Sequence, residues 1–177
     1  MIPRKYLDDY KVVEQVDERG RTRKEAVYVG GDFVFAPPLP KKERWIIGGL
    51  CLAAIIAYAA ALVPATRATR MTYVMVPFIL TPVPLYLMAV VVITLLRADD
   101  IMIRYDAERI SQRLAPCAII AAILPAASFI GLVIAYMRSI ESFQSGDLIF
   151  CIMSVVSVAA SAVVFKMSRR VKAVRKT

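Results

Sequence analysis

Histidine is absent from this chain, and cysteine occurs only at Cys51, Cys117 and Cys151. Without histidine the sequence lacks the commonest metal and haem ligand and the usual proton shuttle near neutral pH. The three cysteines form no CxxC pair. Each falls in or beside a different apolar run, where a thiol reads as a small buried hydrophobe. No cofactor is expected, and a catalytic site would need unusual parts. Charge is missing as well: residues 45–63, 73–96, 115–137 and 148–167 carry no Asp, Glu, Lys, Arg or His until Lys166 near the end of the fourth run. Proton-coupled carriers and ion pumps commonly keep an ionisable group at membrane depth, so this gap counts against both.

What is present is apolar. Hydrophobic residues make up 59% of the 177, and the mean hydropathy is +0.61. That is too much for one soluble domain with a wetted surface. The four runs each reach the roughly 20 residues that a helix needs to cross a bilayer. The fold expected is therefore all-α and integral to the membrane: a four-transmembrane-helix bundle over residues 41–177, with a small strand-containing appendage over residues 1–40. The second run, Tyr73–Leu96, is interrupted by Pro77, Pro82 and Pro84 and should bend. Pro125 should kink the third.

The net charge of +9 is placed where topology is decided. Ten Lys and Arg residues precede the first run, four separate the second from the third, and six lie from Lys166 onward, against Arg67, Arg70 and Arg138 in the two opposite loops. The positive-inside rule then predicts a multi-pass protein of the cell membrane with both termini in the cytoplasm. Lys41, Lys42, Arg44, Arg169, Arg170 and Lys172 are expected to meet anionic lipid at about 1 kcal/mol each. The lipid bilayer thus accounts for the basic residues, and no nucleic-acid partner is expected.

Residues 1–40 lack the order of basic, apolar and small residues that marks a cleavable signal peptide, and no cleavage is expected. Lys11–Val16 and Glu25–Val29 are valine-rich and flank a turn at Asp17–Arg21. Phe33–Phe35 is predicted to add a third strand before Pro37, Pro38 and Pro40, completing a short β-meander. Between the second and third runs, Asp99, Asp100, Asp106 and Glu108 invite a metal or catalytic reading. Interleaved arginines favour a solvated, charge-paired helix instead.

Two patterns point towards function. Gly49, Ala53, Ala57 and Ala61 recur every fourth residue in the first run, and Ala127, Gly131 and Ala135 do so in the third. Such small-residue faces let helix backbones approach closely. Separately, Ser154, Ser157 and Ser161 follow helical spacing in the fourth run, while Thr81 and Tyr86 bracket Pro82 and Pro84. These seven residues are a candidate polar path, because prolines leave backbone carbonyls without helix partners. The packing faces favour a non-enzymatic accessory, scaffold or interaction subunit, with a membrane-protein partner or a homo-oligomer. The polar path favours a small channel or carrier for an ion or neutral solute. A membrane-bound enzyme is the weakest alternative, since the carboxylates lack a histidine or cysteine companion.

Overall fold

The computed structural model describes residues 9–16, 22–36, 38–63, 66–98, 101–138 and 144–175. The expected turn at residues 17–21, together with Pro37, Pro64, Asp99 and Asp100, lies outside them.

Four apolar helices of membrane-spanning length form the body. α1 (Lys41–Ala61) starts straight after Pro40, whose carbonyl accepts the Glu43 amide at 2.9 Å. Proline suits that entry because it cannot continue a helix backwards. The second span is two helices end to end, α2 (Thr72–Leu80) and α3 (Pro82–Arg97), with Pro82 at the first helical position of α3. α4 (Arg104–Met137) runs unbroken through Pro116 and Pro125. It absorbs the charged segment after residue 103, so the expected surface helix is the first three turns of the third span. α5 (Ser145–Ser168) is the fourth span.

The helices close into a ring. α5 packs between α1 and α4, α3 lies against both α4 and α1, and α2 rests on α4. Burial follows the 3.6-residue period: α3 turns Leu85, Met88, Val92 and Leu95 inward, and α4 turns Ile110, Leu114, Ala118 and Ala121 towards them. The outward faces are mostly aliphatic, with Leu52, Ile56, Ile123 and Val155 each more than half exposed. Trp45, 69% exposed beside the charged entry to α1, has the amphipathic ring expected at a headgroup boundary.

The strands depart from the expected meander. β1 (Tyr10–Val16) and β2 (Thr22–Tyr28) pair antiparallel as a two-stranded hairpin. β3 (Phe33–Phe35) does not join them. It pairs antiparallel with β4 (Ala173–Arg175), Val34 opposite Val174, inside what reads in sequence as a basic tail. On its other edge Phe33 exchanges backbone hydrogen bonds with Met102 at 3.0 and 2.9 Å. The reason is burial: Phe35, Met102 and Val171 belong to the main core cluster, which gives β3 an apolar seat that the hairpin alone lacks. Three distant chain segments thus meet at one end of the bundle.

Candidate functional site

The fourth span supplies the polar residues, and their register explains why they point inward. Asp147, Phe150, Ser154, Ser157, Ser161, Val164 and Ser168 alternate three- and four-residue steps, the spacing of a helix seam, and all are buried. Ser154, Ser157 and Ser161 therefore share one face, as expected. The Ser157 hydroxyl donates to the Ala54 carbonyl of α1 at 3.4 Å, a long bond. The Ser154 and Ser161 hydroxyls are buried with no hydrogen-bond partner among the described residues. Small side chains at Ala54 and Ala57 let the two helices come this close.

Thr81, Pro82, Pro84 and Tyr86 do not join that face as a group. Thr81 and Pro84 are buried, while Pro82 and Tyr86 turn outward, Tyr86 at 68% exposure. The turn is also largely satisfied internally. The Thr81 hydroxyl donates to the Pro77 carbonyl at 3.0 Å, and its amide reaches back to Phe78 at 3.1 Å. Thr81 itself keeps helical dihedrals, φ −59° and ψ −35°. The prolines change who bonds to whom without unwinding the backbone.

Asp147 is fully buried in the first turn of α5, a position that the sequence patterns do not single out. Its Oδ2 accepts the Gln144 amide at 3.0 Å, and its Oδ1 accepts the Thr66 hydroxyl from the loop after α1. Thr66 in turn is tied to Thr69 by three-residue bonds. An acid three residues after a helix cap was the available signal. Glutamine in the cap position, where serine or threonine is usual, disguised it.

At the strand-bearing end, Lys41, Lys42, Arg169, Arg170 and Lys172 are exposed. Arg44 is not: the structure buries it at 5% exposure, against the expected contact with lipid. Its Nε donates to the Leu39 carbonyl at 3.1 Å, one terminal nitrogen donates to Ala98 at 2.5 Å, and the guanidinium lies over the Phe35 ring at 5.1 Å. The planar fork thereby joins the strand segment, α1 and the end of α3. Nearby, an open cleft of about 470 Å³ is lined by Asp9, Gly30, Gly31, Arg104, Glu108 and Arg175. Arg104 pairs with Glu108 at 2.8 Å and with Asp9 at 3.7 Å, so Glu108 belongs to a charge network on the helix. The Arg104 amide donates to the Tyr28 hydroxyl at 3.0 Å, docking the hairpin on α4.

The small-residue faces divide. Ala57 and Ala61 are buried, but Ala53 is half-buried and Gly49 is exposed with nothing within 4 Å of where a side chain would begin. A four-residue repeat drifts around a 3.6-residue helix, which carries its early members off the contact. On α4, Gly131 and Ala135 are buried and Ala127 half-buried. A Cβ at Gly131 would sit 3.0 Å from the Tyr73 carbonyl oxygen. Pro77, four residues on, cannot donate to that oxygen, so glycine lets it rest against the α4 backbone instead.

Compared with models of protein families, with curated proteins and with solved structures, the chain finds no match.

Proposed function

We propose that this is a non-enzymatic accessory or scaffold subunit of a membrane complex, held in the cell membrane with both termini in the cytoplasm. Its partner is another membrane protein or a further copy of the chain. The observation that carries the reading is the construction of one end of the bundle. There β3, Met102 and β4 interlock and the β1–β2 hairpin is docked on α4 through Tyr28 and Asp9, a mount that presents a strand pair at the end of the bundle. Basic residues crowd this end, which supports a cytoplasmic placement. Affinity purification from native membranes with identification of co-purifying chains tests it. A specific partner is expected; a strictly monomeric chain that crosslinks to nothing overturns it.

A second reading, a channel or carrier for a small polar solute, draws on the buried and unpartnered hydroxyls of Ser154 and Ser161. It is weakened by the Thr81 turn, whose hydroxyl and amide are both bonded within the helix. Reconstituted vesicles that move no ion or solute beyond empty ones would remove it.

A further inference from the structure

We propose that α4, where it enters the bilayer, holds one anionic phospholipid on its outward face, with the lipid phosphate between Arg109 and Arg113. The site goes beyond the subunit reading and stands whether or not the chain has a protein partner. α4 turns Ala107, Ile110, Leu114, Ala118 and Ala121 inward. On the opposite side of the helix Tyr105, Arg109, Gln112 and Pro116 follow the same three- and four-residue steps. Tyr105, Arg109 and Gln112, with Glu108 and Arg113 beside them, line a hollow of about 50 Å³. One water needs roughly 10–15 Å³, so the hollow has room for an oxyanion group.

Its arginines are not spent on the protein's own carboxylates. Glu108 is turned to Arg104 at 2.8 Å. Asp106 acts on Arg109 through space, yet neither Arg109 nor Arg113 makes an ion pair among the described residues. The Arg109 guanidinium lies over the Tyr105 ring at 5.8 Å, and its Nε is buried there without a hydrogen-bond partner. Stacking orders the planar fork before any ligand arrives and leaves its terminal nitrogens for a phosphate. Arg113, one turn further along the helix, is exposed.

Depth decides which kind of phosphate. The uncharged run of the third span begins at Ala115. At 1.5 Å per residue, Arg113 stands roughly 3 Å and Arg109 roughly 9 Å outside that start. The headgroup layer is about 5–8 Å thick on each side of the hydrocarbon, so the hollow overlaps it. Towards the membrane the same helix face continues through Pro116, Ile120 and Ile123, all exposed and uncharged. An aliphatic face alone names no occupant. One that begins beneath two arginines at phosphate depth matches an amphiphile, whose chain lies along the isoleucines while its phosphate meets the guanidinium pair. A soluble phosphate would use the arginines and leave the rest of the stripe idle. A zwitterionic headgroup brings its own cation to the phosphate and competes with the arginines; a headgroup of net negative charge does not.

The test uses the full chain purified in detergent and titrated with phosphatidylglycerol or phosphatidylcholine, with bound lipid counted by native mass spectrometry. One phosphatidylglycerol per chain is expected, held more tightly than phosphatidylcholine. Arg109→Gln and Arg113→Gln each weaken its binding about fivefold, and the two together about 25-fold. Because Arg113 is exposed, Arg113→Gln keeps the test open if the Arg109 variant fails to fold. Lys41→Gln with Lys42→Gln removes two exposed charges at the same end of the bundle and changes binding less than about twofold. Inorganic phosphate in large excess leaves the lipid in place. Equal binding of the two lipids, an equal loss in the lysine pair, or unchanged binding in Arg113→Gln overturns the proposal. Displacement by inorganic phosphate also overturns it, and makes the hollow a site for soluble phosphate.

Discussion

Two buried polar side chains fix the ends of the bundle. Asp147 holds the loop after α1 against α5 through Thr66, and holds the helix entry through the Gln144 amide. Replacing it with alanine removes the acceptor of the Gln144 amide and breaks the tie to Thr66, and is expected to lower stability by roughly 1–3 kcal/mol. Thermal unfolding of the full chain in detergent measures this. Thr66→Ala added to Asp147→Ala should cost less than the two separately, since they share one bond. Arg44 plays the corresponding part at the strand-bearing end. Arg44→Lys keeps the charge but cannot reach Leu39 and Ala98 with one planar fork, and about 1.5–3 kcal/mol should be lost. Lys41→Ala, at an exposed site, should change stability by less than about 0.5 kcal/mol. An Arg44→Lys variant as stable as the parent would show that charge alone matters there. Sequence did not separate these neighbours: Lys41, Lys42 and Arg44 read as one basic rim, and only the fold decides which of them faces inward.

At the scale of the helix, Gly131 and Gly49 look alike in a four-residue repeat and differ in what surrounds them. Gly49→Ala meets open space and should stabilise by up to about 1 kcal/mol through helix propensity. Gly131→Val pushes against the Tyr73 carbonyl, a backbone atom that cannot turn aside, and should destabilise by about 1–3 kcal/mol. Unfolding midpoints of the two variants decide it, and a stabilised Gly131→Val would show that α2 can shift. The four spans were legible because uncharged apolar runs of bilayer length are poorly accommodated in water and well accommodated in hydrocarbon. The expected run at 73–96 became α2 and α3, and the run at 115–137 gained the helical turns from Arg104. The serine face of α5 was legible because helical spacing alone puts Ser154, Ser157 and Ser161 together. Tyr86 was not separable from Thr81 in sequence, because two residues five apart can fall on different faces and nothing local says which one is buried.

For the molecule as a whole, the pairing of β3 with β4 could not be read locally. Phe33–Phe35 lies five residues after β2, and proximity favoured a meander; the partner strand lies some 140 residues away and carries the charge pattern of a tail. Deleting residues 173–175 should free one edge of β3. Faster amide exchange is then expected at Val34, with the helices unchanged, and unaltered protection there would mean that Met102 alone holds the strand.

That pairing also has a consequence in time. The N-terminal side of this mount is synthesised long before its partner strand exists, by roughly 7–30 s at 5–20 residues per second. During synthesis of all four spans, β3 has no β4 to pair with. The mount can close only after the fourth helix has been made, so a fully formed end of the bundle reports that all four of these helices have been synthesised.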